Sequence, residues 1–193
     1  MKRIIIFASG SGTNAENIIK YFQERKTAEV THVFSNNLRA KVLKRAHTLK
    51  VTALHFDKAS FYDTNEVLNI LIDAKPDIIV LAGFLWIFPK KIIDAFPNKV
   101  INVHPALLPK YGGKGMYGHY VHEAIVKNGE AESGITIHYV NEQYDEGAII
   151  FQAKTAVQPH YTADDVAKAI HHLEYKHFPV VINELLFPEE KAN

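Results

Sequence analysis

Apolar residues fall along this chain in two rhythms. Short β-branched runs, RIIIF at 3–7, VTHVFS at 30–35, VTAL at 51–54, DIIVLAG at 77–83 and VINVH at 100–104, read as buried strands. Between them apolar positions recur every three or four residues, which predicts helices over 14–25, 40–49, 61–74 and 90–96. That order, βαβαβαβαβ, argues for a doubly wound, mostly parallel sheet of Rossmann-like type with helices on both faces. Parallel strands need crossover helices, and they become apolar throughout once both faces are covered.

After residue 104 the pattern changes. A helix over 117–127 precedes GITIHYV at 134–140, a turn at QYDEG, and AIIFQAKTAV at 148–157, which read as an antiparallel pair. A long helix over 163–186 follows, opened by the start signal Thr162-x-x-Asp165. No internal repeat, low-complexity tract or Gly/Ser linker divides the chain, so residues 1–193 are expected to form one α/β domain. FPEEKAN at the end is expected to fray.

Composition narrows the partners. Of 193 residues, 47% are hydrophobic and 22% charged, the balance of a globular domain with a sizeable core. Lys and Arg number 22 against 21 Asp and Glu, so no global field draws the chain to nucleic acid or an anionic membrane, and any anion must be held locally. Cysteine is absent, which removes thiolate chemistry and suits a reducing cytoplasm. MKRIIIF carries a run too short for a signal-peptide core, and no stretch reaches the ~18 apolar residues of a membrane helix.

One candidate anion site follows the first strand. In ASGSGTNAENI, residues 8–18, Gly10 and Gly12 permit positive φ and close backbone approach, and Thr13 with Glu16 matches a T-x-x-E capping box. Amides at such a helix start favour a phosphate. G-S-G-T-N-A formally completes a dinucleotide fingerprint, but the second strand ends in Ser35-Asn36-Asn37 without the usual acid. A single phosphate monoester is therefore preferred.

The candidate chemistry lies at the last parallel strand. Asn102 and His104 are two apart and so share a face, and Pro105 ends the ladder just beyond them. At the carboxyl edge of a parallel sheet, where ligands bind, an Asn amide can donate to an oxyanion and a His can move a proton. A third group to orient that imidazole is offered by Asp145 or Glu146 in QYDEG. Eleven histidines also invite a metal, yet no H-E-x-x-H motif and no Cys ligands are present. By their spacing, His119, His122, His171, His172 and His177 read as helix-surface residues. His138 alternates with Ile137 and Tyr139, facing either solvent or the site.

GSGTN (10–14), VLAGFLWIFP (80–89), INVHPALLPKYGGKG (101–115), SGITIHYVNEQYDEGAIIFQ (133–152) and Glu174 together resemble the folate-dependent glycinamide ribonucleotide formyltransferases of purine synthesis. The resemblance implies transfer of a formyl group from 10-formyltetrahydrofolate to the amine of 5-phosphoribosylglycinamide, with no metal. It selects Asn102, His104 and Asp145 as catalytic. Gly12, Thr13 and Asn14 fall on the family's phosphate loop, and His171, His172, Leu173 and Glu174 on its ribonucleotide segment. Leu85, Trp86, Ile87 and Phe88, together with Asn102, Asn141, Glu142, Gln143, Tyr144 and Asp145, fall on the folate segments. Trp86 stands where many relatives carry a smaller or basic side chain. Residues 1–100 would then supply the phosphate-binding half and 101–193 the catalytic and folate half, in a monomer or homodimer. A formyltransferase acting on methionyl-tRNA and a 10-formyltetrahydrofolate hydrolase share the Asn, His and Asp core. A non-catalytic nucleotide-binding module would leave that core unexplained.

Overall fold

In the computed structural model, which describes residues 1–188, the expected alternation forms a single seven-stranded sheet of order β3-β2-β1-β4-β5-β6-β7. The expected fraying of residues 189–193 lies outside the described residues. The elements are β1 (Lys2–Phe7), α1 (Thr13–Arg25), β2 (Ala28–Ser35), α2 (Lys41–Thr48), β3 (Thr52–His55), α3 (Glu66–Ala74), β4 (Ile78–Leu81) and α4 (Lys90–Ala95). They continue with β5 (Val100–His104), α5 (His119–Lys127), β6 (Glu132–Tyr139), β7 (Ile149–Ala156) and α6 (Ala163–Leu186). Strands β1 to β5 pair in parallel, and β6 and β7 run antiparallel beside β5.

Alternation along β1 explains the two covered faces. Ile4 and Ile6 join one buried cluster with Phe22 of α1, Val121 of α5 and Phe178 of α6. Ile5 and Phe7 point the other way, into Phe34, Phe61, Leu71 of α3 and Ile92 of α4. The second cluster is aromatic: Phe7 stacks on Phe34 at 4.8 Å and meets the Phe88 ring edge-on at 5.1 Å. It forms the floor beneath the segment 84–88.

The long helix starts where the sequence says. Thr162 accepts from the Asp165 amide while the Asp165 carboxylate accepts from the Thr162 amide, a closed capping box. The helix also runs through Pro179, whose missing N–H leaves the Tyr175 carbonyl without its usual donor. Asn17 of α1 donates to that carbonyl at 2.9 Å and ties the two helices together.

Two expected helices are altered. The stretch 61–74 is broken into a π-helical turn, Ala59–Asp63, and α3, with Thr64 extended between them. The polar run Asp63-Thr64-Asn65 offers no apolar face to continue the coil, and the Asp57 carboxylate fixes the turn by accepting from the Ser60 amide at 2.9 Å. The helix expected from residue 117 starts at His119, because Gly118 has φ 53° and ψ −129°.

Candidate active site

At the carboxyl ends of β1, β4 and β5 opens a cavity of about 640 Å³. Its lining brings Gly10–Asn14 of the first turn together with Asn102 and His104 of β5, Asp145, and His171 and Glu174 of α6. The cavity draws on both halves of the chain.

The first turn differs from its expected form. Gly12 has φ 72° and is itself the N-cap of α1, so Thr13 becomes the first helical residue and makes no cap. A Cβ on Gly12 would stand 2.7 Å from Val42 Cα and closer still to its side chain, so α2 holds the turn in a shape only glycine fits. Glu16 is consequently free of the capping box and pairs with Lys20 at 2.6 Å and with Arg45. Gly10 is not in the positive-φ region and has open space around it. The first amides of α1, without intrahelical acceptors, begin at this turn and suit an anion.

Asn102 and His104 do share a face, and the antiparallel register sets Asn102 opposite His138 and His104 opposite Thr136. His138 is 2% exposed, so of its two expected orientations the site is the one realised. Its Nδ1 lies 2.9 Å from the Tyr139 carbonyl and so carries a proton, which leaves Nε2 to accept from Asn102 Nδ2 at 3.1 Å. This fixes the Asn102 amide with its N–H₂ end toward His138.

His104 is 3% exposed and meets an acceptor at each nitrogen: the Tyr111 carbonyl lies 2.7 Å from Nε2, and Asp145 Oδ2 lies 3.4 Å from Nδ1. A ring with a proton on each nitrogen would meet both acceptors. Asp145 sits at φ 56°, a left-handed conformation Asp tolerates, and this turns its carboxylate back under the loop. Gly147 rests against the Tyr139 carbonyl where no Cβ fits, which closes the loop 140–148 on β6. Burial works to raise the Asp145 pKa. The contact with His104, the charge of that imidazole and a hydrogen bond from the Gly113 amide outweigh it and hold the carboxyl well below the usual range. Between the two acids of QYDEG, Asp145 is therefore the one that meets the imidazole.

The other expected residues divide. Trp86, Ile87, Phe88, Asn141, Gln143 and Tyr144 line a small adjoining cleft, bounded also by Asn102 and Asp145. Leu85 lines the large cavity, whereas Glu142 points outward to Lys90 at 3.2 Å. On α6, residues three apart share a face: His171 and Glu174 line the cavity, while His172 is exposed and Leu173 packs on the core. Glu174 is 5% exposed, and its Oε2 accepts from Asn14 Nδ2 and pairs with His171 Nδ1, each at 2.9 Å. The His171 pKa is raised by that hydrogen bond, against burial.

His122 and Lys114 also line the cavity and are not among the residues expected there. For His122 the signal was present: it adjoins the stripe formed by Val121 and Ile125, which points α5 inward. Among the described residues no group of three or more His, Asp and Glu side chains is placed to hold a metal ion.

The chain has close counterparts in fold and sequence among known proteins. The formyl transferase family profile matches residues 2–182. The chain is similar to the phosphoribosylglycinamide formyltransferase of Bacillus subtilis, 31% identical over 191 residues that cover 96% of this chain and 95% of that protein. It is 33% identical to the chloroplastic phosphoribosylglycinamide formyltransferase of Arabidopsis thaliana, spanning 95% of this chain and 65% of the length of that relative. The crystal structure of glycinamide ribonucleotide transformylase 1 from Geobacillus kaustophilus aligns with a TM-score of 0.86 at 32% identity, covering 96% of this chain and 99% of that one. Fold, profile and relatives coincide over almost the whole sequence, and the chain belongs to the formyl transferase family.

Proposed function

We infer that this protein transfers a formyl group from 10-formyltetrahydrofolate to the amine of 5-phosphoribosylglycinamide, giving the N-formyl ribonucleotide and tetrahydrofolate for purine synthesis. The observation that carries this reading is a single cavity in which an anion-suited helix start, Gly10–Asn14, faces the Asn102, His104 and Asp145 cluster. The relatives' names support the same substrates.

The chemistry assigns a part to each side chain. The substrate amine attacks the formyl carbon, and the C=O π pair moves onto oxygen as the tetrahedral intermediate forms. Asn102 keeps a second amide hydrogen for that oxygen, and charge-assisted donation from His104 stabilises the developing anion. Asp145 holds Nδ1–H, so Nε2–H is the proton His104 can release, once a ligand replaces the Tyr111 carbonyl as its acceptor. Collapse breaks the bond from carbon to the folate nitrogen, whose electron pair takes the Nε2 proton. The imidazole then recovers a proton from the new C–N nitrogen. Proton balance is closed without a metal.

Gly12, Thr13 and Asn14 bind the phosphate in this reading, and His171 with Glu174 borders the sugar. Trp86, Ile87, Phe88, Asn141, Gln143 and Tyr144 cradle the pterin over the aromatic floor. We also propose that the chain acts in the cytoplasm as a monomer or homodimer, without nucleic acid. No helix among the described residues is long and apolar enough to cross a membrane.

The test is release of tetrahydrofolate from 10-formyltetrahydrofolate, followed with and without the ribonucleotide. Release that requires 5-phosphoribosylglycinamide is the expected result. Equal release without it marks a hydrolase, and nucleotide binding with no release marks a non-catalytic module; either refutes the reading.

A further inference from the structure

His122 is 4% exposed on the inner face of α5 and borders the large cavity. Its Nδ1 is enclosed and has no hydrogen-bond partner among the described residues. Nε2 has no hydrogen-bond partner among the described residues either, and it is not an enclosed atom, so it is the nitrogen a ligand can reach. Burial, the largest effect, and then the charge of His171 bring this imidazole's pKa down to about 4, so the ring is neutral at neutral pH. A neutral ring with an enclosed, unpaired Nδ1 is least costly when that nitrogen carries only its lone pair, which places the single N–H at Nε2.

A second orphan lies in the same cavity lining. Asn14 Oδ1 is enclosed and unpaired, while its amide nitrogen donates to Glu174. Glu174 in turn acts electrostatically on His122. This corner therefore presents an N–H and the Glu174 carboxylate in the lining of one cavity. A cation would leave the Nε2–H unmet, and a bare anion would meet Glu174. A hydroxyl answers both demands, because it accepts from the imidazole and donates to a carboxylate oxygen.

We propose that His122 recognises a ribose hydroxyl of the ribonucleotide and sets the preference of the enzyme for ribose over deoxyribose. The proposal rests on the function proposed above, since a phosphate seated at Gly10–Asn14 is what brings the sugar to this corner. It gives His122 a binding role separate from the proton chemistry of His104.

The test compares the wild-type protein with His122→Phe and His122→Gln on three substrates: 5-phosphoribosylglycinamide and its 2-deoxy and 3-deoxy sugar analogues. His122→Phe is expected to lower kcat/KM for the ribose substrate by about 10- to 100-fold, the scale of one lost buried hydrogen bond. The loss should fall mainly on the ribonucleotide KM, with the folate KM unchanged. On the analogue lacking the recognised hydroxyl, variant and wild type should converge. His122→Gln, whose amide N–H can reach the place of Nε2, should recover part of the loss. A His122→Phe loss of equal size on all three substrates, or no loss on any, overturns the proposal, and unfolding midpoints of the variants identify a folding defect. Absence of ribonucleotide-dependent turnover in the wild type would instead overturn the proposed function.

Discussion

Gly12→Ala places a methyl group where α1 and α2 meet. The residue has φ 72°, a region that costs an L-residue with a Cβ about 1–2 kcal/mol. The new Cβ would also press on Val42, 2.7 Å from its Cα, and such overpacking adds about 1–3 kcal/mol. Relief by moving α2 is opposed by the Val42 amide, which donates to the Gly10 carbonyl at 3.2 Å. The expected loss is therefore about 2–5 kcal/mol. Gly10→Ala is the internal control, since no heavy atom lies within 4 Å of its added Cβ and its φ is not positive. It should change stability by less than about 1 kcal/mol. Urea unfolding at constant m measures both. In catalysis, Gly12→Ala should raise the ribonucleotide KM and leave the folate KM unchanged, because the displaced amides belong to the phosphate turn alone. Equal stabilities for the two variants would refute the claim that glycine at 12 is demanded by geometry.

Two further outcomes follow from the charged groups. His104→Ala and Asp145→Asn should each lower turnover by at least about 10²- to 10³-fold with the circular dichroism spectrum retained; near-wild-type turnover in either would remove that residue from the proposed chemistry. Acid should destabilise the protein between pH 6.5 and about 4. There the unfolded chain protonates His122 while the folded one keeps it neutral, so stability falls with falling pH. The shift caps this contribution at about 3 kcal/mol. His122→Phe should flatten that segment of the stability curve and leave the loss below pH 3.8, where the unfolded chain protonates Asp145 while the folded carboxyl stays ionised. His171 has the opposite sign: its raised pKa contributes below pH 6.5 and is lost as pH rises through the folded value.

Short-range signals carried much of this site. Period-two alternation and Pro105 placed Asn102 and His104 on one face at a strand end, and the glycine turn after β1 lies in the lining of the same cavity. What escaped was set by distant backbone. The capping box expected at Thr13 and Glu16 is a local motif overruled by a neighbour 30 residues away, Val42, whose packing forces a left-handed glycine into the cap position. His172 and Leu173 belong to the segment matched by resemblance, but a helix presents only every third or fourth residue to one side, so His171 and Glu174 alone reach the cavity. His122 read as one more surface histidine although the Val121 and Ile125 stripe beside it already pointed α5 inward.

The reversal of the sheet at β6 explains why the proposed catalytic cluster is larger than the pair on β5. A further parallel strand would require a crossover and would carry its own chain away from the site. An antiparallel β6 instead sets His138 directly opposite Asn102, and its return loop brings Asp145 back within 3.4 Å of His104 and 3.6 Å of His138. One carboxylate thus faces both imidazoles. His138 is bound on its far side to a backbone carbonyl, so it can hold Asn102 by accepting a hydrogen bond without competing for the proton that His104 carries. In the proposed chemistry the donor that stabilises negative charge and the donor that releases a proton are therefore positioned by different partners. A substitution at His138 should consequently misplace the Asn102 amide while leaving the contact between Asp145 and His104 in place.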